Sequence, residues 1–196
     1  YCELYTRWLQ MGAFLPMFRS HGTDTPREIW NFGEKGTMFY DAIEKTIGLR
    51  YHLMPYIYSL AGAVRLKDQT IMRSLLFDFP EDPEVRKIQN QFMFGPSVLV
   101  CAVTEPMYYE AESRELQREK KWTCYLPAGQ GWYDYWTNTR YDGGQYVTVD
   151  APMDRIPIFA KAGSIIPTAE GLQYASQKPK QPLKLYVYPG ADAAFK

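Results

Sequence analysis

The spacing of apolar residues changes near residue 70, and this change restricts the chain to a fold with a helical part and a strand-rich part. Before residue 70, apolar residues recur every three or four positions, as in helices that bury one face. The longest such pattern runs from Gly36 to Leu66 and predicts a long helix. Pro55 falls inside it and has no N–H for the carbonyl of Tyr51, so we expect a kink or a break there.

One mostly apolar stripe is predicted along this helix, with a single basic residue in it. Its members are Phe39, Ile43, Ile47, Arg50, Met54, Ile57, Ala61 and Val64. A buried ion pair, or a side-chain stem that reaches solvent, would accommodate Arg50 in such a stripe.

After residue 70 the pattern becomes one of short strands. Apolar runs at 70–79 and 97–103 predict strands, and the segment between them predicts a short helix or a loop. Six further strands are predicted at 122–126, 132–136, 145–149, 156–160, 164–167 and 183–188. Strands at this spacing, separated by glycine and asparagine, favour an antiparallel sandwich. The densely charged segment 110–121 predicts a solvated excursion between two strands.

Composition excludes several classes of partner. The 22 basic residues balance the 22 acidic residues, which argues against nucleic acid or an anionic membrane surface as a partner. No apolar run reaches the roughly 20 residues of a membrane span.

The three cysteines lack metal-ligand spacing, and Cys101 in its apolar run is predicted to be a buried thiol. The chain opens on Tyr1 without a methionine, so we expect a piece of a longer protein, and the sequence assigns no compartment.

The stretch 14–30 is the candidate binding segment. A short apolar run at 14–18 predicts a buried strand, and a polar loop that contains Arg19, His21 and Trp30 follows it. Barrel enzymes present ligand-binding groups at the carboxyl ends of their strands. Arginine and histidine there can hold the hydroxyls of a polar ligand, while tryptophan covers an apolar face. The residues alone equally allow a solvated loop with a satisfied histidine.

Nine runs, taken in order, resemble glycoside hydrolase family 31, the family of α-glucosidases and α-xylosidases. They are Glu3–Phe14, Phe18–Gly22, Arg27–Trp30, Leu49–Tyr58, Arg73–Pro80, Gln91–Gly95, Trp132–Trp136, Gly143–Gln145 and Ala162–Pro167. The resemblance implies an α/β fold joined to an all-β fold. Residues 1–69 would be the last helix–strand–helix portion of a (β/α)8 TIM barrel. Residues 70–196 would be an antiparallel β-sandwich that is truncated in this chain.

The resemblance also implies a function and a set of site residues. The family resembles retaining glycosidases, in which two carboxylates about 5–5.5 Å apart act as nucleophile and acid/base. Both aspartates precede the segment that matches Tyr1, so we expect this chain to hold no catalytic residue and to be inactive alone. His21 matches a sugar-binding histidine. Arg19 matches the arginine beside it, which would either contact the sugar or form a buried ion pair that braces the site. Trp30 would either lie at the rim of the pocket or pin the loop. Asp24 and Glu28 are expected to pair with a neighbour such as Arg27 instead of replacing the missing pair.

The chain would therefore belong to a retaining exo-α-glycosidase that acts on terminal α-glucosyl or α-xylosyl residues. Its partners would be a carbohydrate substrate and the rest of the parent chain, or other copies of itself, and no metal or organic cofactor is implied. Two alternatives stay open. One is a non-catalytic carbohydrate-binding sandwich that uses Trp132 and Trp136, and the other is a structural or interaction fragment.

Overall fold

A computed structural model describes residues 1–190, which form a helical part packed on antiparallel sheets. The helices are α1 (Cys2–Gly12), α2 (Met38–His52), α3 (Met54–Lys67) and the short α4 (Leu75–Asp78), with 3-10 helices at Ile29–Phe32, Pro83–Lys87 and Ala111–Ser113. The strands are β1 (Met72–Arg73), β2 (Gln91–Phe94), β3 (Val98–Cys101), β4 (Lys121–Leu126), β5 (Gly131–Asp134), β6 (Arg140–Asp142), β7 (Gln145–Asp150), β8 (Ile158–Lys161), β9 (Ser164–Thr168) and β10 (Lys184–Tyr188).

The expected break at Pro55 is confirmed. Helix α2 ends at His52, and the backbone of Leu53 leaves the helical region at φ −81° and ψ 5°. Helix α3 begins at Met54 with Pro55 in its first turn. Proline fits this position because the first N–H groups of a helix have no partner within the helix. Within α2 the predicted stripe is confirmed at Ile43 and Arg50, which are both buried.

Beyond the break the predicted stripe is wrong by one residue. Ile57 of the predicted stripe is buried, but the other buried residues of α3 are Tyr56 and Leu60, and Leu53 just before α3 is buried as well. Val64 is 40% exposed. Because α3 is a separate helix, the sheet on which it packs determines its buried face, and the repeat of α2 does not continue into it. The hydroxyl of Tyr56 donates to the carbonyl oxygen of Phe94 at 2.8 Å and so fixes this rotation.

The strand predicted at 14–18 is wrong, because the segment forms turns. A strand needs a neighbour to satisfy its backbone groups, and no strand pairs with this segment anywhere in residues 1–190. The strand predicted at 70–79 is also mostly wrong. Only Met72–Arg73 pairs with β2, and then Ser74 caps α4 by accepting from the N–H of Leu76 at 3.3 Å.

The chain is arranged in three layers, in which a central sheet lies between α3 and the two-stranded sheet of β4 and β7. The central sheet has the strand order β1-β2-β3-β8-β5-β6, and all its pairs are antiparallel. On one face, Val98 and Val100 contact α3 and Phe14. On the other face, Leu99 and Trp132 pack against the two-stranded sheet of β4 and β7. The alternation of buried residues along β3 therefore serves two cores, and β9 with β10 forms a third sheet beside α3.

The buried carboxylate of Asp82 joins the second core to the loop after β4. It accepts from the Tyr125 hydroxyl and the Ala128 N–H, both at 2.8 Å, and from the Glu84 N–H at 3.0 Å. Burial by itself raises the pKa of this carboxyl, but the hydrogen bonds from Ala128, Tyr125 and Glu84 outweigh it, so the pKa of Asp82 lies below its ordinary value. The folded state therefore prefers the charged form.

Asp82 is expected to make folding sensitive to acid. Its contribution is complete above the unfolded pKa of about 3.9 and is lost as the pH falls through the lower folded value. Asp82→Asn should lower the free energy of unfolding by about 1–2 kcal/mol at pH 6, and the difference should shrink towards pH 3. Urea unfolding across this range measures it. Asp142→Asn, which changes an exposed ion pair with Arg140, is the control. A pH-independent difference for Asp82→Asn would contradict the assignment.

Candidate functional site

The segment that leads to the candidate loop is fixed by Arg50 of α2. The guanidinium donates to the carbonyl oxygens of Ala13 at 2.7 Å, Leu15 at 2.6 Å and Pro16 at 3.2 Å, and it lies over the ring of Phe18 at 5.7 Å. Arg50 therefore neither forms the ion pair nor reaches solvent, which were the two possibilities considered from the sequence. Its guanidinium instead binds carbonyl groups that a neighbouring strand would have bound.

The loop after this segment is tied to α1. The Tyr5 hydroxyl donates to Ser20 Oγ at 2.9 Å and lies 3.3 Å from the carbonyl oxygen of Arg27. The Arg27 guanidinium donates to the Tyr1 hydroxyl at 3.1 Å and also to the carbonyl oxygen of His21. The position of His21 is thus set through its backbone, and its imidazole remains exposed.

These contacts enclose a cleft of about 400 Å³ between α1 and the loop, which we call the His21 cleft. Its polar lining is Arg19, Ser20, His21 and Arg27, and its apolar lining includes Leu4 and Trp8 of α1. Guanidinium and imidazole groups can hold ligand hydroxyls, while the indole offers a flat apolar surface. Among the described residues that line the cleft, none carries a carboxylate.

The structure brings together some of the predicted site residues and leaves others apart. Arg19 and His21 share the cleft, whereas Trp30 is 70% exposed on the following 3-10 helix and does not line it. The expected pairing of the loop acids with Arg27 is wrong. Glu28 accepts from the side-chain amide of Asn31 at 2.9 Å, because the 3-10 turn places that amide three residues away.

Helix α1 shows an inverted distribution of polar residues, which the sequence analysis missed. Its buried face is polar and comprises Glu3, Thr6, Arg7 and Gln10, while Leu4 and Trp8 are 59% and 66% exposed. The exposed apolar side chains line the His21 cleft on one side. On the other side they line a cleft of about 740 Å³ next to the charged excursion.

The polar face of α1 binds backbone groups of the loops that follow β3 and β7. Glu3 accepts from the N–H groups of Met107 and Tyr109 at 2.7 and 2.9 Å and also binds the N–H between them. Arg7 donates to the carbonyl oxygens of Ala151, Pro152 and Arg155 at 2.8, 3.1 and 2.9 Å. Burial lowers the pKa of the Arg7 guanidinium, and the negative charge of Glu3 partly offsets this. The two residues lock α1, and with it one wall of the cleft, onto the sandwich.

Sites of other kinds are not assembled in the described part of the chain. Within residues 1–190, no three His, Cys, Asp or Glu side chains are grouped so that they could hold a metal ion. No helix in that range is long and apolar enough to cross a membrane.

Comparisons with known proteins agree with the two kinds of structure. Residues 1–60 match the family model "Glycosyl hydrolases family 31 TIM-barrel domain", and residues 68–166 match "Glycosyl hydrolase family 31 C-terminal domain". The α-xylosidase of Saccharolobus solfataricus is 37% identical over 195 residues, which is 100% of this chain and 25% of that protein.

Solved structures agree as well. The crystal structure of the GH31 α-xylosidase from Xanthomonas citri has a TM-score of 0.85 and 45% identity over 97% of this chain and 20% of that one. The Flavobacterium johnsoniae GH31 dextranase, complexed with glucose, has a TM-score of 0.83 and 38% identity over 97% of this chain and 22% of that one. The chain thus spans a quarter or less of the length of these relatives. The chain belongs to glycoside hydrolase family 31, and its two parts correspond to the TIM-barrel and C-terminal domains of that family.

Proposed function

We propose that this chain is the C-terminal part of a retaining exo-α-glycosidase that removes terminal α-xylosyl or α-glucosyl residues. The observation that carries the proposal is the His21 cleft, in which Arg19 and His21 meet aromatic side chains within the part that matches the family's barrel. The relatives supply the substrate class, since they are named as an α-xylosidase, α-glucosidases and a dextranase.

In this proposal, residues 1–69 complete the barrel and residues 70–196 belong to the sandwich domain that supports it, although residues 191–196 lie outside the described part of the chain. The family models support a boundary in this region, because one match ends at residue 60 and the other begins at residue 68. The preceding barrel elements of the parent chain would cover Leu4 and Trp8, which α1 leaves exposed. Without them, self-association would cover the same surface.

In the active site, His21 and Arg19 would hold sugar hydroxyls while two upstream aspartates perform the displacement. One aspartate would attack the anomeric carbon, and the other would protonate the leaving oxygen and then activate water. A neutral imidazole suits this role, because it presents one donor and one acceptor to neighbouring hydroxyls. No step of the reaction would need a carboxylate from the loop, so Asp24 and Glu28 take no part.

The position of Trp132 does not support the alternative of a carbohydrate-binding module. Trp132 is fully buried, and its indole N–H donates to the carbonyl oxygen of Pro127 at 2.9 Å. It packs at an angle against Phe79 in the core between the sheets. A sugar therefore has no access to the ring of Trp132 in this fold.

The proposal is tested by comparing this chain with the full-length protein on aryl α-xylosides and α-glucosides. The full-length protein should release the sugar with retained anomeric configuration, as followed by proton NMR. The 196-residue chain should show no turnover above background, because it offers no carboxylate pair. Turnover by the isolated chain that disappears in Asp24→Ala or Glu28→Ala would refute the upstream position of the pair. Inversion by the full-length protein would refute the mechanism.

A further inference from the structure

A third concavity, separate from α1, lies at the far edge of the central sheet. It has a volume of about 180 Å³, and we call it the Arg155 recess. Asp134 ends strand β5, Tyr141 is the middle residue of β6, and Asp150 ends β7. Arg155 reaches the recess from the connection to β8, and Trp136 lines it from the turn after β5. Five side chains from five segments thus converge on one small space.

The charged groups in the recess are of opposite sign and form no ion pair with one another. Arg155 forms no salt bridge with Asp134, Asp150 or any other acid in residues 1–190, and its Nε is buried without a hydrogen-bond partner. Asp150 is exposed, and its carboxylate likewise forms no hydrogen bond in that range. The recess is therefore lined by both donors and acceptors that can bind a ligand.

The backbone positions of these groups are fixed. Asp134 is 5% exposed, and its Oδ1 accepts from the N–H groups of Trp136 at 2.7 Å and Thr137 at 3.0 Å. The backbone carbonyl of Arg155 accepts from buried Arg7 at 2.9 Å. The indole N–H of Trp136 donates to the Ile156 carbonyl oxygen at 2.8 Å. The recess is therefore preorganised, and binding there would cost little ordering.

The mixture of groups identifies the class of ligand. A divalent cation would meet the positive charge of Arg155, and an anion would meet the carboxylates of Asp134 and Asp150. The hydroxyl of Tyr141 makes no hydrogen bond within residues 1–190, although burial, followed by the charge of Asp134, raises its pKa. A neutral molecule with adjacent hydroxyls can accept from arginine and tyrosine and donate to the carboxylates at once.

Size limits the ligand further. A volume of about 180 Å³ is below the roughly 300–1,000 Å³ of sites for drug-sized molecules, so one ring fits and an oligosaccharide does not. The half-buried ring of Tyr141 lines the recess and offers apolar surface to the C–H groups of a sugar, whereas the Lys45 ammonium lies over the ring of Trp136 at 5.1 Å. We propose that the Arg155 recess binds a single sugar ring, and that this site on the C-terminal domain is distinct from the His21 cleft.

Direct binding to the 196-residue chain tests this proposal without relying on catalysis. Isothermal titration calorimetry with methyl α-D-xyloside and methyl α-D-glucoside should show saturable binding of at least one of them, with a Kd on the order of 1 mM. Arg155→Met keeps the length of the stem and removes the donors, and it should weaken binding at least tenfold. Tyr141→Phe keeps the ring and should weaken binding severalfold. Circular dichroism checks the fold of each variant, and Tyr141→Phe decides if Arg155→Met does not fold.

Two matched controls separate this site from the rest of the molecule. Arg140→Met removes a neighbouring arginine of β6 that pairs with Asp142 outside the recess, and it should leave the Kd unchanged. Arg65→Met removes an exposed arginine near the end of α3, outside the recess, and should also leave it unchanged. Absence of saturable binding, or binding that a folded Arg155→Met variant leaves unchanged, overturns the proposal. Tighter binding of Ca²⁺ or inorganic phosphate than of either glycoside overturns the ligand class.

Discussion

Replacing His21 by alanine in the full-length enzyme is expected to lower kcat/KM by roughly tenfold to a hundredfold with little change in Tm. The loss of a hydrogen bond to a sugar hydroxyl costs roughly 1–3 kcal/mol, and a contact that tightens in the transition state affects the rate as well as binding. Stability should be spared, because the loop is held through the backbone carbonyl of His21, which alanine keeps.

Two comparisons make the His21 result specific. Asp24→Ala removes an exposed side chain of the same loop that does not line the cleft, so its kcat/KM should equal that of the wild type. His21→Gln retains one donor and should recover part of the lost activity. Steady-state kinetics on an aryl α-xyloside or α-glucoside measures all three variants. An unchanged kcat/KM for His21→Ala in a folded enzyme would exclude His21 from the sugar site.

The parts of the fold that were predictable from the sequence are those in which local patterns and burial agree. The break beside Pro55 follows from a missing N–H, and the antiparallel strands follow from the alternation and turn residues after residue 90. The predicted strand at 14–18 failed because no strand within residues 1–190 pairs with it, and of its apolar side chains only Phe14 is buried, whereas Met17 is 75% exposed. A single sequence shows that such a run is apolar, but it does not show which backbone groups lie beside it.

The candidate site was predictable to the same extent. The position of Arg19 and His21 after an apolar run indicated that they share a site, and both line the cleft. Trp30 does not reach the cleft, since the loop path depends on bonds from Tyr5 and Arg27 that join residues far apart in sequence. Glu3 was missed for a related reason, because its partners are N–H groups more than 100 residues away. Its one local signal is the inverted polarity of α1.

Arg50→Met is expected to lower the free energy of unfolding of the chain by about 3 kcal/mol or more. This is a larger loss of stability than we expect for Asp82→Asn. Charge-assisted hydrogen bonds contribute roughly 1.5–3 kcal/mol each, and a buried acceptor left without a partner costs roughly 1–3 kcal/mol. Ala13 is 1% exposed, so water does not readily replace the guanidinium at its carbonyl oxygen. Urea denaturation of the 196-residue chain measures the loss directly, and Arg65→Met on the exposed end of α3 should change it by less than about 0.5 kcal/mol.

Arg50→Lys separates the charge of the side chain from its geometry. An ammonium group keeps the positive charge but lacks the planar fork that reaches the carbonyls of Ala13, Leu15 and Pro16 together. The lysine variant should therefore be intermediate in stability, and hydrogen exchange should accelerate across residues 17–21 because the loop loses its support. In the full-length enzyme, the same variant should lower kcat/KM, since Arg19 and His21 depend on that support for their position. If Arg50→Lys were as stable as the wild type and hydrogen exchange in the loop were unchanged, the three carbonyl contacts would not be what holds the loop of Arg19 and His21 in place.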